Sequence, residues 1–564
     1  MIHSLTRGLQ QLSSAVYAFG EAGHLRAILV LVLLSLILFT PGLFWLQPMD
    51  RDEPRFAQAS KQMLETGDFV RIRFQKTARN NKPAGIYWLQ SAAVTAGEAA
   101  GVPDARRTIW LYRLVSLAGA LAVVLLTYWT ALAFAARGPA MLAAMLLAAT
   151  VLLGVEARLA KTDAVLLASV VAAMGALARM YLKPSAPASW RLPLVFWTAI
   201  GAGLLLKGPI TPMVCLLAGL TLLVADRAAP WFRSLRPAAG ILWALLLAAP
   251  WFILIIIETK GAFLADSIGK DMLAKVGSGK ESHGAPPLTY FAAFWGTAWP
   301  MAPLAALAAP YVWKNRREKP FRFLLAWLVP VWLLFELVPT KLPHYVLPTY
   351  PAIAILTILT LEKIAPFEGG RWRRWIGWLL PLVPALLLAA AIAVAVFTRT
   401  PPGWTWYVLI AAAVFLGWFA MQPHHDPARR IMVAVFSAMA LYSATYTGVL
   451  VDGPGRVLAV SPKMATMAQL PLRDNCKEPA IASAGYYEPS LVFLTRTDMV
   501  MTSGAGAAQH LLGGPCRLAF VEKRQEPAFL KALADRESVR PLGRITGINL
   551  NGGKRLDIGV WFRQ

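Results

Sequence analysis

Long apolar runs recur along most of the chain and constrain its fold more than any other feature. Each reaches the roughly 17 residues that a helix needs to span a bilayer. Hydrophobic residues make up 57% of the chain and charged residues only 15%, which excludes an ordinary soluble protein. The sequence therefore predicts a polytopic α-helical membrane protein with about thirteen spans, near residues 26–46, 108–134, 138–157, 163–182, 190–206, 209–225, 237–257, 287–312, 321–338, 345–361, 374–397, 403–421 and 430–451.

The formal net charge of +25 is concentrated in loops on one side of the predicted membrane. Cytoplasmic loops of membrane proteins are enriched in Lys and Arg. We therefore predict a cytoplasmic N-terminal segment at residues 1–25, an outer C-terminus and no nucleic-acid partner. The six short basic loops that carry this signal follow every second span and read AARG, ARMYLKPSAPASWR, DRAAPWFRSLRP, WKNRREKPFR, EGGRWRR and PARR.

The loops on the opposite side carry acids and bases together. Two of them are long, at residues 47–107 and 258–286, and the others contain EARLAKTD, LLLKGPITP and ELVPTKLPHYVLPTYP. Charged groups at the edge of the hydrocarbon are costly unless they are paired or hydrated, and they usually mark a site. We infer one polar cavity at the outer face.

Residues 453–564 have the composition of a soluble protein and follow a transmembrane domain at 26–452. The runs AIASAGYY, PSLVFLTR, RLAFVEK and DIGVWFR are rich in strand-forming residues, and EPAFLKALADRES is helix-like. These patterns predict a small outer α/β domain. Both Cys476 and Cys516 fall in it, and an oxidising compartment favours a disulfide between them over the alternative of two free thiols.

The stretch DRDEPRFAQAS begins the first outer loop. Its apolar positions predict an amphipathic helix that lies along the surface and ends at Gly67. A purely structural interpretation is available, in which Asp52 caps the helix, Glu53 complements its dipole and Pro54 occupies the first turn. Spacing alone does not decide between this interpretation and a catalytic one.

Several motifs together resemble the type C (GT-C) integral-membrane glycosyltransferases that use polyprenyl-phosphate sugars, most of all the bacterial lipid A aminoarabinose transferases. The motifs are DEPRFAQASKQMLETGDFV, NKPAGIYW, LAKTD, LLLKGP, HGAPPLTYF and TKLPHYVLPTYP. The resemblance implies thirteen spans with a periplasmic domain. It also implies transfer of 4-amino-4-deoxy-L-arabinose from undecaprenyl phosphate to lipid A phosphate at the periplasmic face of the inner membrane. This lipopolysaccharide modification confers polymyxin resistance. One departure is Asn81, where relatives often have Glu.

The resemblance also implies a set of ligands for the donor phosphate. Lys82 and Arg55 match the family pattern, and Tyr345 lies in the matching outer loop. Weaker candidates are Lys207, Lys341 and His344, since single charged residues at a membrane edge are often interface residues. A phosphate leaving group gains negative charge, which cations and hydrogen-bond donors stabilise in a partly dry site.

The family pattern places acids at Asp52 and Asp163, with Glu53 as a supporting residue. A lipid A phosphate is already largely ionised at neutral pH and needs no general base. Asp52 is therefore expected to orient the sugar, stabilise positive character at its anomeric carbon or contact its amine. A structural alternative for Asp163 is that it caps the helix that follows.

No cofactor is required beyond the lipid-linked sugar, and the chain is expected to act as a monomer. A divalent metal stays open, because the acidic and histidine residues of the outer loops match no standard site; they are Asp50, Asp52, Glu53, Glu281 and His283. One alternative function is a sister transferase that moves another polyprenyl-linked sugar to protein or glycan. The other is a lipid or solute transporter, which the one-sided charges and the absence of repeats disfavour.

Overall fold

The computed structural model describes residues 2–49, 52–183, 189–226, 229–267, 269, 285–364, 370–422, 426–471, 476, 478–533 and 538–564. Helices dominate as far as residue 443. They are α1 (Ile2–Glu21), α2 (His24–Phe39), α3 (Asp52–Thr66), α4 (Gly85–Ala99), α5 (Ile109–Ala131), α6 (Arg137–Ala148), α7 (Val151–Glu156), α8 (Asp163–Leu182), α9 (Arg191–Lys207), α10 (Ile210–Asp226), α11 (Pro230–Ser234), α12 (Pro237–Glu258), α13 (Ala262–Leu264), α14 (Thr289–Thr297), α15 (Met301–Lys314), α16 (Lys319–Leu337), α17 (Tyr350–Leu361), α18 (Arg371–Gly377), α19 (Leu379–Thr398), α20 (Trp404–Ala420) and α21 (Pro427–Ser443).

The helices form a multi-pass membrane protein. In the described part of the chain, seven helical segments are long and apolar enough to cross a bilayer, and four shorter apolar helices accompany them. Each of the thirteen predicted spans overlaps at least one of the helices α2 to α21, but the number of complete crossings stays a prediction. Large apolar side chains on α12, such as Leu242 and Ile257, are exposed, as expected where a helix faces lipid.

Close packing between the helices depends on small residues. Gly119 on α5 lies against the first turn of α8, where an added Cβ would meet the backbone nitrogen of Val165 at 2.8 Å. Small residues of this kind let the backbones of membrane helices approach closely. This contact brings the start of α8, where Asp163 is the first residue, against α5.

The C-terminal part is an α/β unit. Its sheet has the strand order Val500–Thr502, Ala480–Ala484, Arg517–Glu522, Arg555–Arg563 and Val539–Ile548. The first three strands are parallel, and the strand Arg555–Arg563 is antiparallel to both of its neighbours. Cys476 and Cys516 form a disulfide there, with their Cα atoms 5.5 Å apart. The elements are α22 (Gly455–Leu458), α23 (Val460–Ala468), β3 (Ala480–Ala484), α24 (Pro489–Leu494), β4 (Val500–Thr502), α25 (Gly504–Leu512), β5 (Arg517–Glu522), α26 (Glu526–Ala532), β6 (Val539–Ile548) and β7 (Arg555–Arg563); a hairpin of β1 (Arg73–Phe74) and β2 (Thr77–Ala78) belongs to the first outer loop.

One predicted strand is wrong. The run PSLVFLTR contains the helix α24, with Pro489 in its first turn. Proline suits that position because its fixed φ is helical and its missing N–H has no helical partner there. The apolar residues Leu491, Val492 and Phe493 are consecutive and all buried. A short apolar run without alternation does not distinguish a strand from a buried helix.

The predicted surface position of α3 is also wrong. The helix ends at Gly67 as expected, where φ is +70°, but every residue from Glu53 to Met63 except Arg55 is buried. Lys61 donates from Nζ to the carbonyl of Phe493 at 3.0 Å, and Gln58 donates to Thr497 Oγ1 at 2.7 Å. The helix is therefore enclosed between the membrane helices and the C-terminal unit.

Burial has an electrostatic consequence for Lys61. Loss of water lowers the pKa of its ammonium group from 10.5 to about 8, although the carboxylate of Glu65 opposes that change. The Nζ atom lies 3.8 Å from Glu65 Oε1. Lys61 is thus a desolvated cation in the contact between the first outer loop and the C-terminal unit.

Candidate active site

A cavity of about 580 Å³ opens among α8, α9, α10, α12, α16 and the loop that precedes α4. We call it the lysine cavity. Most of its wall is apolar, for example Leu167, Phe252 and Leu334, and its polar lining includes Asn81, Lys82, Asp163, Lys207, Ser267, His344 and Tyr345. An apolar chamber with a cationic end suits a lipid that carries a phosphate.

An ion pair between Asp163 and Lys207 lies at the polar end of the lysine cavity. Lys207 Nζ donates to Asp163 Oδ1 at 2.5 Å, and both side chains are mostly buried. The same ammonium lies 5.6 Å from the ring centre of Tyr345. The N-cap of α8 is Thr162, so Asp163 is the first helical residue rather than its cap. The pairing with Lys207 occupies its carboxylate instead.

His344 lies between two carboxylates. Its Nε2 is 3.8 Å from Asp163 Oδ1 and its Nδ1 is 3.8 Å from Glu156 Oε1. Glu156 in turn accepts from Lys161 Nζ at 3.3 Å. Sequence reasoning noted the charged stretch EARLAKTD but did not select Glu156 or Lys161.

The side chains of Glu156, Asp163 and His344 place one ligand atom each within 4.8 Å of one another, a spacing that can hold a metal ion. Lysines already contact both carboxylates. A divalent cation would therefore have to displace an ammonium group from at least one of them. Of the earlier metal candidates, Asp50, Glu281 and His283 lie outside the described residues.

Glu53 has the geometry of a positioning residue. Its two oxygens accept from Arg113 Nε at 2.7 Å and Arg113 Nη2 at 2.9 Å, and both side chains are fully buried. Oε1 also accepts from the backbone N–H of Ala160 at 2.9 Å, and Oε2 accepts from Met49 N–H at 3.2 Å. These bonds tie α3 to α5 and to the loop before α8. They leave no accessible oxygen for a substrate.

Asp52 and Arg55 lie on the first turn of α3 and do not line the lysine cavity. Arg55 Nη1 is 3.9 Å from Asp52 Oδ1, and the two side chains are 34% and 50% exposed, respectively. Both side chains are therefore partly accessible to solvent. The fixed position of Glu53 between them determines where this turn lies.

Lys341 is not placed as a phosphate ligand. Its Nζ donates to the carbonyls of Glu336 at 2.7 Å and Val338 at 2.8 Å, at the end of α16. Carbonyls at a helix C-terminus are natural partners for an ammonium group. The side chain is buried away from the lining of the lysine cavity.

Comparison with known proteins gives concordant matches. Residues 24–269 match the family described as dolichyl-phosphate-mannose-protein mannosyltransferase. An undecaprenyl phosphate-alpha-4-amino-4-deoxy-L-arabinose arabinosyl transferase of Pectobacterium carotovorum is 25% identical over 447 residues, which are 77% of this chain and 75% of the relative. A protein of the same description from Edwardsiella ictaluri is 25% identical over 529 residues, 89% of this chain and 90% of the relative.

Solved structures show the same fold. ArnT from Cupriavidus metallidurans bound to undecaprenyl phosphate has a TM-score of 0.73 at 18% identity, over 94% of this chain and 97% of that one. The archaeal oligosaccharyltransferase AglB from Archaeoglobus fulgidus has a TM-score of 0.50 at 12% identity, over 91% of this chain and 70% of that one. Similarity at these identities concerns the fold alone.

Proposed function

We propose that the chain is a GT-C integral-membrane glycosyltransferase and that it transfers 4-amino-4-deoxy-L-arabinose from undecaprenyl phosphate to a lipid A phosphate. The observation that carries the proposal is the lysine cavity, whose apolar walls suit a polyprenyl chain and whose polar end collects Lys82, Lys207 and His344. Two relatives that align with most of the chain are described as undecaprenyl phosphate-alpha-4-amino-4-deoxy-L-arabinose arabinosyl transferases, which supports the donor sugar and its carrier.

In the proposed reaction, an oxygen of the acceptor phosphate attacks the anomeric carbon of the sugar. The bond from that carbon to the donor phosphate oxygen breaks, and undecaprenyl phosphate leaves with the electron pair. Lys82, Lys207 and Tyr345 stabilise the charge that develops on the leaving phosphate. The acceptor oxygen is already ionised and gives up no proton, so the reaction requires no general base.

The two acids have different roles in this proposal. Asp163 holds Lys207 in place through their ion pair. Asp52, which is accessible on the first turn of α3, stabilises positive character at the anomeric carbon or contacts the amine of the sugar. Arg55 lies beside Asp52 and contacts the phosphate or the acceptor from the outer side.

The proposed orientation follows from the loop charges. The basic loops and residues 1–25 are cytoplasmic, whereas the loops at 47–107 and 258–286 and the unit at 453–564 are periplasmic. The donor site then opens to the periplasmic leaflet of the inner membrane, where both the lipid-linked sugar and lipid A are available. Transfer modifies lipopolysaccharide and reduces its negative charge, which provides polymyxin resistance.

Mass spectrometry of lipid A tests the function. A strain that carries the protein, together with a supply of the undecaprenyl-linked aminoarabinose, should contain lipid A with added aminoarabinose. A matched strain with the gene deleted should lack it. Unchanged lipid A, with another polyprenyl-linked sugar found on protein or glycan only when the gene is present, would instead identify the sister transferase.

A further inference from the structure

A series of ionisable groups runs beside the polar end of the lysine cavity. In order it comprises Lys161, Glu156, His344, Asp163 and Lys207. Successive members are separated by 3.3, 3.8, 3.8 and 2.5 Å. The first two members do not line the cavity, and the proposed reaction gives them no role.

The series contains two lysines and two carboxylates, and it is nearly closed to solvent. Lys161 and Glu156 are 7% and 2% exposed. A buried ammonium group needs a carboxylate nearby, because an unpaired charge in such a site is strongly unfavourable. Lys161 contacts Glu156, and Lys207 contacts Asp163. Asp163 is thus the partner of Lys207, the lysine that lines the cavity.

The carboxylate of Glu156 is buried at a cost that packing alone does not explain. Its Oε2 is buried and has no hydrogen-bond partner among the described residues. A buried acceptor without a donor is costly, and such groups in native proteins call for an explanation. The neighbouring Arg158 does not supply one, since it donates to the carbonyls of Pro41 and Gly154 instead.

We propose that Glu156 is a positioning residue of the donor site, which holds Lys161 away from Asp163 and so reserves Asp163 for Lys207. The inference rests on the proposed function, in which Lys207 contacts the donor phosphate. Without the Glu156 carboxylate, Asp163 is the remaining acid of the series. The Lys161 ammonium turns toward it and competes with Lys207, which then leaves its position at the phosphate.

The chain offers a matched control at Glu336. This carboxylate is also buried and lies 3.7 Å from a lysine, Lys341, and its Oε2 also lacks a hydrogen-bond partner among the described residues. Neither residue lines the lysine cavity. Glu336→Gln therefore reproduces the loss of a buried charge beside a lysine without altering the charge series.

The test uses full-length protein in detergent micelles and measures its affinity for undecaprenyl phosphate together with its thermal midpoint. Glu156→Gln should weaken binding by about 10- to 100-fold, the usual effect of losing one contact to a charged group. The double variant Glu156→Gln with Lys161→Gln removes the competing ammonium and should bind within about threefold of the parent. Lys161→Gln alone and Glu336→Gln should also bind like the parent, even if their midpoints fall.

Parent-like binding by Glu156→Gln would overturn the inference, and so would a double variant that binds as weakly as Glu156→Gln. If Glu156→Gln does not fold, the double variant decides the matter, because it contains no uncompensated lysine. Parent-like binding by it supports the inference, and a loss of 10-fold or more overturns it. Parent protein that binds undecaprenyl phosphate but leaves lipid A unmodified would contradict the proposed function without affecting this comparison.

Discussion

Asp163 and Lys207 form a buried ion pair, with 2.5 Å between Oδ1 and Nζ, that joins the first turn of α8 to the last turn of α9. Removing one partner of such a pair leaves an uncompensated charge and costs about 3 to 5 kcal/mol. Loss of activity after substitution of either residue therefore mixes a chemical effect with a structural one. Residues that are partly exposed give cleaner tests.

Asp52 is such a residue, because its side chain is half exposed. Asp52→Asn should fold with an unchanged thermal midpoint and an unchanged affinity for undecaprenyl phosphate. Its transfer rate should fall by about two decades, since an amide does not offset positive charge at the anomeric carbon. Asn caps helices as well as Asp, so transfer at the parent rate would reduce Asp52 to a structural residue.

Lys82 lines the lysine cavity, and Lys82→Ala should remove a contact to the developing phosphate charge. The expected loss is about 2 to 4 kcal/mol of transition-state stabilisation, or two to three decades of rate. Lys76→Ala is the matched control, an exposed lysine of the same outer loop. Near-normal lipid A modification by Lys82→Ala would remove this lysine from the site.

Arg55→Ala should also lose transfer while remaining folded.

The stability of the protein should depend on pH through Lys61. The pKa of this lysine is about 8 in the folded protein, below its ordinary 10.5. Between those values the unfolded state binds more protons, so stability rises with pH. Between pH 7 and 9 the gain is about 1.4 kcal/mol. The thermal midpoint should rise accordingly, and Lys61→Met should show a smaller rise. An identical pH response in that variant would assign the effect to other groups.

The disulfide should contribute substantially to the C-terminal unit. It joins residues 40 positions apart, for which the loop-entropy estimate is about 3 to 4 kcal/mol. Cys476→Ser should therefore lower the unfolding temperature of this unit. Peptide mapping of the parent protein without reduction should recover Cys476 and Cys516 joined by their disulfide. Two free thiols in the mature protein would contradict the pairing.

The orientation of the chain in the membrane can be tested by cysteine labelling of intact spheroplasts, in which the outer surface of the inner membrane is accessible to reagents. A cysteine at the exposed position of Lys76 should react with a membrane-impermeant maleimide. One at the exposed position of Arg317 should react only after permeabilisation. The native thiol of Cys215 is buried and gives little background. If the cysteine at position 76 did not react until the membrane was permeabilised, the proposed topology would be wrong.

The sequence was most informative where a single physical requirement dominates. Apolar runs located the membrane helices because hydrocarbon excludes charged residues. The resemblance to the polyprenyl-phosphate-sugar transferases led to Lys82, Asp163, Lys207, His344 and Tyr345, which share the lysine cavity. Lys341 was a candidate phosphate ligand on the same grounds as His344. The sequence does not reveal that its ammonium group donates to carbonyls at the end of the preceding helix, α16.

Tertiary partners account for the remaining differences. The polar residues of α3 indicated a solvent-facing helix, but Gln58 and Lys61 find partners in the C-terminal unit more than 430 residues away. Glu156 was missed for the same reason. Its significance depends on two lysines and a histidine from separate elements, and no local pattern brings them together.

The enclosure of α3 also has a consequence for biosynthesis. Its contacts to the C-terminal unit span 432 residues of sequence, which a ribosome needs roughly 20 to 90 s to synthesise. The turn that carries Asp52 and Arg55 is synthesised early, yet the groups that contact its helix from the C-terminal unit are synthesised only near the end of the polypeptide. A chain that terminated at any membrane helix would therefore lack the partners of Gln58 and Lys61 on α3.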